Sequence, residues 1–201
     1  MTKIKLCGLS RPADIEAANK LKPDYIGFVF AKKSRRYVTP DEAAALKALL
    51  LPEIRAVGVF VDEDPEAVAD LLNQGIIDAA QLHGNEDRAY IQRLRHMTNA
   101  LIIQAFRIRS AQDVDQANRS IADLVLLDAG AGTGTVFDWS LLSGTARPYF
   151  LAGGLDPENA AAAMRTLHPY GVDVSSGIET GGIKDREKMA AFAAAVRRAN
   201  P

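Results

Sequence analysis

Cysteine is nearly absent from this sequence: its 201 residues contain one, Cys7. No disulfide can form within the chain, and a reducing cytoplasm is the expected compartment. Charge of one sign is equally scarce, since 24 Lys+Arg face 25 Asp+Glu for a formal net charge of -1. That balance offers no basic footprint for nucleic acid and no acidic tail. Long apolar runs are missing as well. The N-terminal stretch breaks at Gly8, and no later run approaches the roughly 18 residues of a membrane span. Neither a signal peptide nor a membrane partner is therefore expected. The three histidines, His83, His96 and His168, show no i, i+4 pairing and no HExxH pattern, so no metal site is expected. No low-complexity linker or shift in composition divides the chain, and one domain over 1–201 is the simplest organisation.

What is present is a repeated alternation. Short runs rich in Val, Ile, Leu and Phe fall at Ile4–Gly8, Tyr25–Phe30, Ala56–Val61, Ala79–His83, Leu101–Phe106, Leu124–Asp128, Pro148–Ala152 and Gly171–Val174. Most are apolar at successive positions, the pattern of strands buried on both faces in a parallel sheet. Between them lie amphipathic, often alanine-rich stretches at 15–21, 42–51, 66–74, 88–96, 159–167 and 186–198, with a weaker helix start at Ser110 and Asp113. Thr39-Pro40-Asp41-Glu42 combines a cap, a first-turn proline and a capping-box glutamate, while Asp64-Pro65 and Asp156-Pro157 repeat the cap-then-proline signal. Eight strands and about eight helices imply right-handed βαβ units closed into a (β/α)₈ TIM barrel, in an α/β fold class.

In such a barrel, chemistry sits where strands end. Cys7 ends the first run and reads either as a small buried hydrophobe or as a thiol activated by nearby positive charge. Asp128 closes the sixth run and reads either as a loop anchor or as a general acid whose apolar surroundings raise its pKa. The cluster Lys32, Lys33, Arg35 and Arg36 is either a solvated charge run or the source of an arginine clamp for a carboxylate. Gly153-Gly154 after the seventh strand and Ser175-Ser176-Gly177 after the eighth suit a phosphate site built from backbone amides. Gly130-Ala131-Gly132-Thr133-Gly134 lacks the dinucleotide and P-loop spacings, and is expected to be a tight or mobile active-site loop. Trp139 is expected to anchor the sixth helix.

Taken in order, the segments resemble a known family. They are Lys5-Leu6-Cys7-Gly8, Gly27-Phe28-Val29-Phe30 with Ser34–Val38, Gly58-Val59-Phe60-Val61, Gln81-Leu82-His83-Gly84-Asn85-Glu86, Leu127-Asp128, Gly132-Thr133-Gly134 with Phe137-Asp138-Trp139, Leu151–Leu155, and Gly171–Glu179. The set resembles phosphoribosylanthranilate isomerases of tryptophan biosynthesis, from residue 4 to about 188. The resemblance implies a cofactor-free Amadori rearrangement of N-(5-phosphoribosyl)anthranilate, a small phosphosugar–anthranilate substrate. It implies Asp128 as general acid and Cys7 as general base. It also implies Arg36 near the anthranilate, Asp173 and His83 in the substrate pocket, and Gly153, Gly154, Ser175, Ser176 and Gly177 at the phosphate. A monomer or a homodimer is compatible with the sequence.

Two departures stand out. Ser34-Arg35-Arg36 replaces the family's Ser-Pro-Arg, leaving open which arginine points inward. Ala131 replaces the first glycine of Gly-Gly-Thr-Gly, a change that strains the loop if that position needs positive φ. A histidine-pathway isomerase would carry an aspartate where Cys7 stands. A non-catalytic phosphosugar binder would have no need to keep both Cys7 and Asp128.

Overall fold

The computed structural model describes residues 1–128, 130 and 139–200. Every expected run is a strand: β1 Lys3–Cys7, β2 Tyr25–Val29, β3 Arg55–Phe60, β4 Ala79–Leu82, β5 Leu101–Arg107, β6 Leu124–Asp128, β7 Tyr149–Ala152 and β8 Gly171–Val174. They pair in chain order and close into a barrel, with β8 returning parallel to β1. The expected strands overran at Gly8, Phe30, Val61 and His83, which lie one residue beyond their strands. Those positions open the βα loops and remain at the same end of the barrel.

Outside the strands run α1 Pro12–Leu21, α2 Pro40–Ala48, α3 Pro65–Asn73, α4 Arg88–Met97, α5 Ala111–Asn118, α6 Ala160–Leu167 and α7 Arg186–Ala199. Thr39 caps α2 by accepting from Glu42 N at 3.2 Å, and Glu42 accepts from Thr39 N at 2.7 Å. Asp64 caps α3 through Glu66 N at 2.9 Å. Asp156 behaves differently from its expected role. It accepts from Glu158 N and Asn159 N and closes a turn, and α6 starts only at Ala160. The sixth crossover also departs from the expected pattern, because its described part holds a 3₁₀ segment, Trp139–Gly144, in place of an α-helix. Trp139 packs there, partly buried, against the main core. Ala131–Asp138, which carries the glycine-rich segment and its Ala131, lies outside the described residues. Among the described residues, no helix is long and apolar enough to cross a membrane.

The period of two along each strand divides the apolar residues into layers. Ile26, Phe28, Phe60, Ala80, Leu82, Ile102, Val125, Leu127, Leu151 and Val172 face outward into the core shared with the helices. Tyr25, Val57, Ala79, Ile103, Leu126 and Phe150 face inward and fill the barrel. Above them, Cys7, Val29 and Val59 form a small third cluster under the mouth. Phe150 anchors the inner plug. Its ring meets Tyr25 and Tyr170 edge-on, with centroids 5.4 Å away in each case.

Phe150 is fully buried, so Phe150→Ala should cost about 3–5 kcal/mol through lost burial and the cavity left behind. Chemical denaturation of the variant should show that loss, and a cost within experimental error would remove the plug from the account of stability.

Candidate active site

The strand ends surround a cavity of about 400 Å³ whose lining includes Cys7, Arg36, Gln81, His83, Asp128 and Asp173. Gly153, Gly154, Ser175 and Ser176 form one rim of the same cavity. Nearly every residue singled out in the sequence therefore converges on one space. A larger cleft of about 640 Å³ adjoins it beyond β4 and β5 and shares His83 with it.

Cys7 is buried and yet part of the cavity wall. The activated thiol that nearby positive charge suggested is not its resting condition. Burial pushes the thiol up, and the charge of Lys5 only partly offsets this. Lys5 is two residues earlier on the same inward face. It has no solvent exposure, and its Nζ donates to Asp173 Oδ1 at 2.9 Å. Asp173 is thus tied from below by a buried ion pair while its side chain still borders the cavity.

Asp128 sits on the wall with His83, whose Nε2 is 3.5 Å from Asp128 Oδ2. The expected upward shift of Asp128 is corrected here. Burial does push the carboxyl up, but the hydrogen bond and charge of His83, the Gly130 N–H at 3.0 Å and the charge of Arg107 outweigh it. The net result is a carboxyl held below its ordinary value. Gln81 stands behind His83, with its Nε2 3.3 Å from His83 Nδ1. If the amide donates to Nδ1, the remaining ring proton sits on Nε2, the nitrogen facing Asp128. Gln81 Oε1 is buried without a hydrogen-bond partner among the described residues.

The two arginines separate clearly. Arg36 lines the cavity, whereas the Arg35 side chain is 59% exposed and lies outside the lining. Both are held by Glu179, in the short hairpin of β9 Glu179–Thr180 and β10 Ile183–Lys184. Arg36 Nε and Nη2 donate to the two Glu179 oxygens at 2.6 and 2.8 Å, leaving Nη1 outside the fork. Lys184 Nζ donates to Glu179 Oε1 at 2.6 Å and to the Ser175 carbonyl at 2.9 Å. One buried carboxylate thus fixes both Arg36 and, through Lys184, the loop after β8. Burial raises the Glu179 carboxyl, but Arg36 and Lys184 outweigh it and bring it down to about 2.

The loops after β7 and β8 fit closely. Gly153 and Gly154 have φ of +92° and +65°, a region costly for other residues. Gly177 lies outside the lining and packs behind it, where a Cβ would come within 1.9 Å of the Leu155 carbonyl oxygen. No group of three or more His, Cys, Asp or Glu suited to a metal occurs among the described residues.

The sequence reading did not single out Lys5, Gln81, Glu179 or Lys184. Lys5 and Gln81 gave a usable signal, each being a polar residue at an inward position of an otherwise apolar strand. Glu179 and Lys184 gave little, because two-residue strands leave no periodicity.

A model of the N-(5'phosphoribosyl)anthranilate (PRA) isomerase family matches residues 4–195. The chain belongs to this family. The N-(5'-phosphoribosyl)anthranilate isomerase of Acetivibrio thermocellus is 41% identical to it over 214 residues, covering 100% of this chain and 98% of the relative. That of Thermoanaerobacter sp. is 42% identical, with 98% of each chain covered. The crystal structure of phosphoribosyl anthranilate isomerase from Thermotoga maritima superposes with a TM-score of 0.90 at 33% identity, covering 98% of this chain and 100% of that one. A phosphoribosyl anthranilate isomerase in complex with reduced 1-(o-carboxyphenylamino)-1-deoxyribulose 5-phosphate gives a TM-score of 0.88 with the same identity and coverage. The T. maritima enzyme is described as dimeric in a structure of monomers generated from it.

Within this isomerase family member, Glu179 is the group most exposed to acid. Its depressed carboxyl contributes stability that is full above its ordinary value of 4.5 and is lost as pH falls toward about 2. Glu179→Gln should therefore lower stability at pH 7 by on the order of 2–4 kcal/mol. The gap to wild type should narrow as pH drops from 4.5. Urea midpoints at pH 7 and pH 3 check this, and a gap independent of pH would contradict the assigned charge network.

Proposed function

We propose that the chain catalyses the Amadori rearrangement of N-(5-phosphoribosyl)anthranilate to 1-(2-carboxyphenylamino)-1-deoxyribulose 5-phosphate, the isomerase step of tryptophan biosynthesis, in the cytoplasm. The observation that carries this reading is a single cavity with Cys7 and Asp128 in its wall and the Gly153–Gly154 and Ser175–Ser176 loops at its rim. The reaction needs one proton donor at the furanose ring oxygen and one acceptor at C2, with the phosphate held at a distance.

Asp128 donates to the ring oxygen as the C1–O bond breaks, and the anilino nitrogen lone pair forms the C=N bond of a Schiff base. The Asp128 carboxyl is held below its ordinary value, and the His83 ring nitrogen 3.5 Å from its Oδ2 is the neighbouring polar group on this side of the cavity. Cys7, as thiolate, then removes the C2 proton. The C–H electron pair becomes the C1=C2 bond as the C=N π pair returns to nitrogen, giving an enolamine that tautomerises to the ketone. Arg36 presents its Nη1 edge to the anthranilate carboxylate while Glu179 holds the other edge. Backbone amides of Gly153, Gly154, Ser175 and Ser176 bind the phosphate, with Gly177 packed behind them, and Asp173 borders the sugar. No nucleic acid, membrane, metal or organic cofactor takes part. The enzyme works as a monomer or a homodimer.

Purified protein should consume the anthranilate fluorescence of freshly prepared substrate with multiple turnovers. Well-folded protein without turnover would sink this reading. Cys7→Ala and Asp128→Asn should each lower kcat by about 10²-fold or more, and near-normal turnover in either would remove its role. Arg36→Ala should raise KM by about tenfold, on the scale of one lost charge-assisted hydrogen bond, with Arg35→Ala changing it far less. The reverse order would exchange the two arginines.

A further inference from the structure

Lys5 is a fully buried cation that the mechanism above leaves unused. It is among the largest side chains with essentially no solvent exposure, in the company of phenylalanines, leucines and isoleucines. An ion pair in such a place is expensive to bury, and a well-packed apolar pair of similar volume is often as stable or more so. Stability alone therefore gives little reason for it. Its position is more informative. Lys5 and Cys7 share the inward face of β1, and the register of β1 on β8 sets Lys5 directly opposite Asp173. The ammonium has three protons to donate. One goes to Asp173 at 2.9 Å, and Cys7 stands two residues further along the same inward face of β1, where the charge of this ammonium acts on its sulfur.

We propose that Lys5 is a positioning residue for the isomerisation: its ammonium, pinned by Asp173, is the fixed counter-charge against which the Cys7 thiolate forms. The proposal rests on the assignment of Cys7 as the base. The charged groups that face Cys7 are Lys5 from β1, Asp173 from β8, Lys184 from β10 and Arg36 from the loop after β2. Lys5, Lys184 and Arg36 favour the thiolate, and Asp173 opposes it. Lys5 remains charged despite its burial, which works against it, because Asp173 and Cys7 together hold its pKa up. The thiol proton leaves to water through the cavity mouth. The thiolate then takes the C2 proton, forming S–H as C2–H breaks, and Lys5 keeps all three of its protons throughout.

The single cysteine makes this directly measurable, since thiolate absorbance near 240 nm, corrected with Cys7→Ser, reads Cys7 alone. Replacing Lys5 with methionine should move Cys7 ionisation up by about one pH unit or more, as loss of an adjacent opposite charge does. In Asp173→Asn the shift should be downward, because an opposing carboxylate is gone and the ammonium is left to the sulfur. The rising limb of kcat against pH should move with the thiol in Lys5→Met, with kcat falling at least about tenfold and KM changing little. Opposite shifts in the two variants support the proposal. Shifts of the same sign, or none, in folded protein overturn it. Should Lys5→Met fail to fold, Lys5→Gln, which keeps a polar head without the charge, decides the matter: an upward thiol shift supports the proposal and no shift overturns it. Failure of wild-type turnover would instead overturn the proposed reaction while leaving the thiol titrations to stand or fall separately.

Discussion

Closure of β8 onto β1 is the constraint on which the rest of this structure depends. Lys3, Ile4, Lys5 and Leu6 meet Gly171, Val172, Asp173 and Val174 in parallel register. A slip of β1 by one residue would turn its side chains to the other face of the sheet. Lys5 would then point into the helix layer, leaving Asp173 without its partner, and Cys7 would leave the cavity. The same closure places the loop after β8 beside the loop after β2. That proximity lets Glu179 reach Arg36 and lets Lys184 reach Ser175.

The site is consequently built in two tiers. The upper tier, bordering the cavity, carries Cys7, Asp128, His83, Arg36 and the two glycine- and serine-containing loops. A lower tier of buried polar groups holds the upper one in place: Lys5 under Cys7 and Asp173, Gln81 under His83, and Glu179 with Lys184 under Arg36 and the last loop. Each lower residue fixes a charge or an orientation that the exposed group could not keep by itself in water. The aromatic plug around Phe150 lies deeper and contributes packing only.

The upper tier was largely legible in the sequence because position does most of the work. Strands buried on both faces announce themselves as unbroken apolar runs, and their last residues must then sit at the barrel mouth. Cys7 and Asp128 could be found by that rule alone. Asp128 also marks where the rule stops. Its apolar strand suggested a raised carboxyl, but His83 comes from a different strand and outweighs the local setting. Long-range pairs of this kind leave no trace in a linear pattern. The choice between Arg35 and Arg36 stayed open in the sequence for the same reason, since both are held by Glu179 from the far end of the chain while only Arg36 lines the cavity. The cap at Asp156 misled because a turn and a helix start share the same first hydrogen bonds.

The depth of the Lys5–Asp173 pair has one further result. Charges on a protein surface are damped by dissolved ions over roughly 10 Å or less at ordinary ionic strength, whereas buried charges are damped far less. With no solvent reaching Lys5, the field it casts on the cavity floor is a property of the fold rather than of the surrounding medium. The electrostatic character of this pocket is therefore set when the barrel closes, and changes in cellular salt leave it nearly untouched.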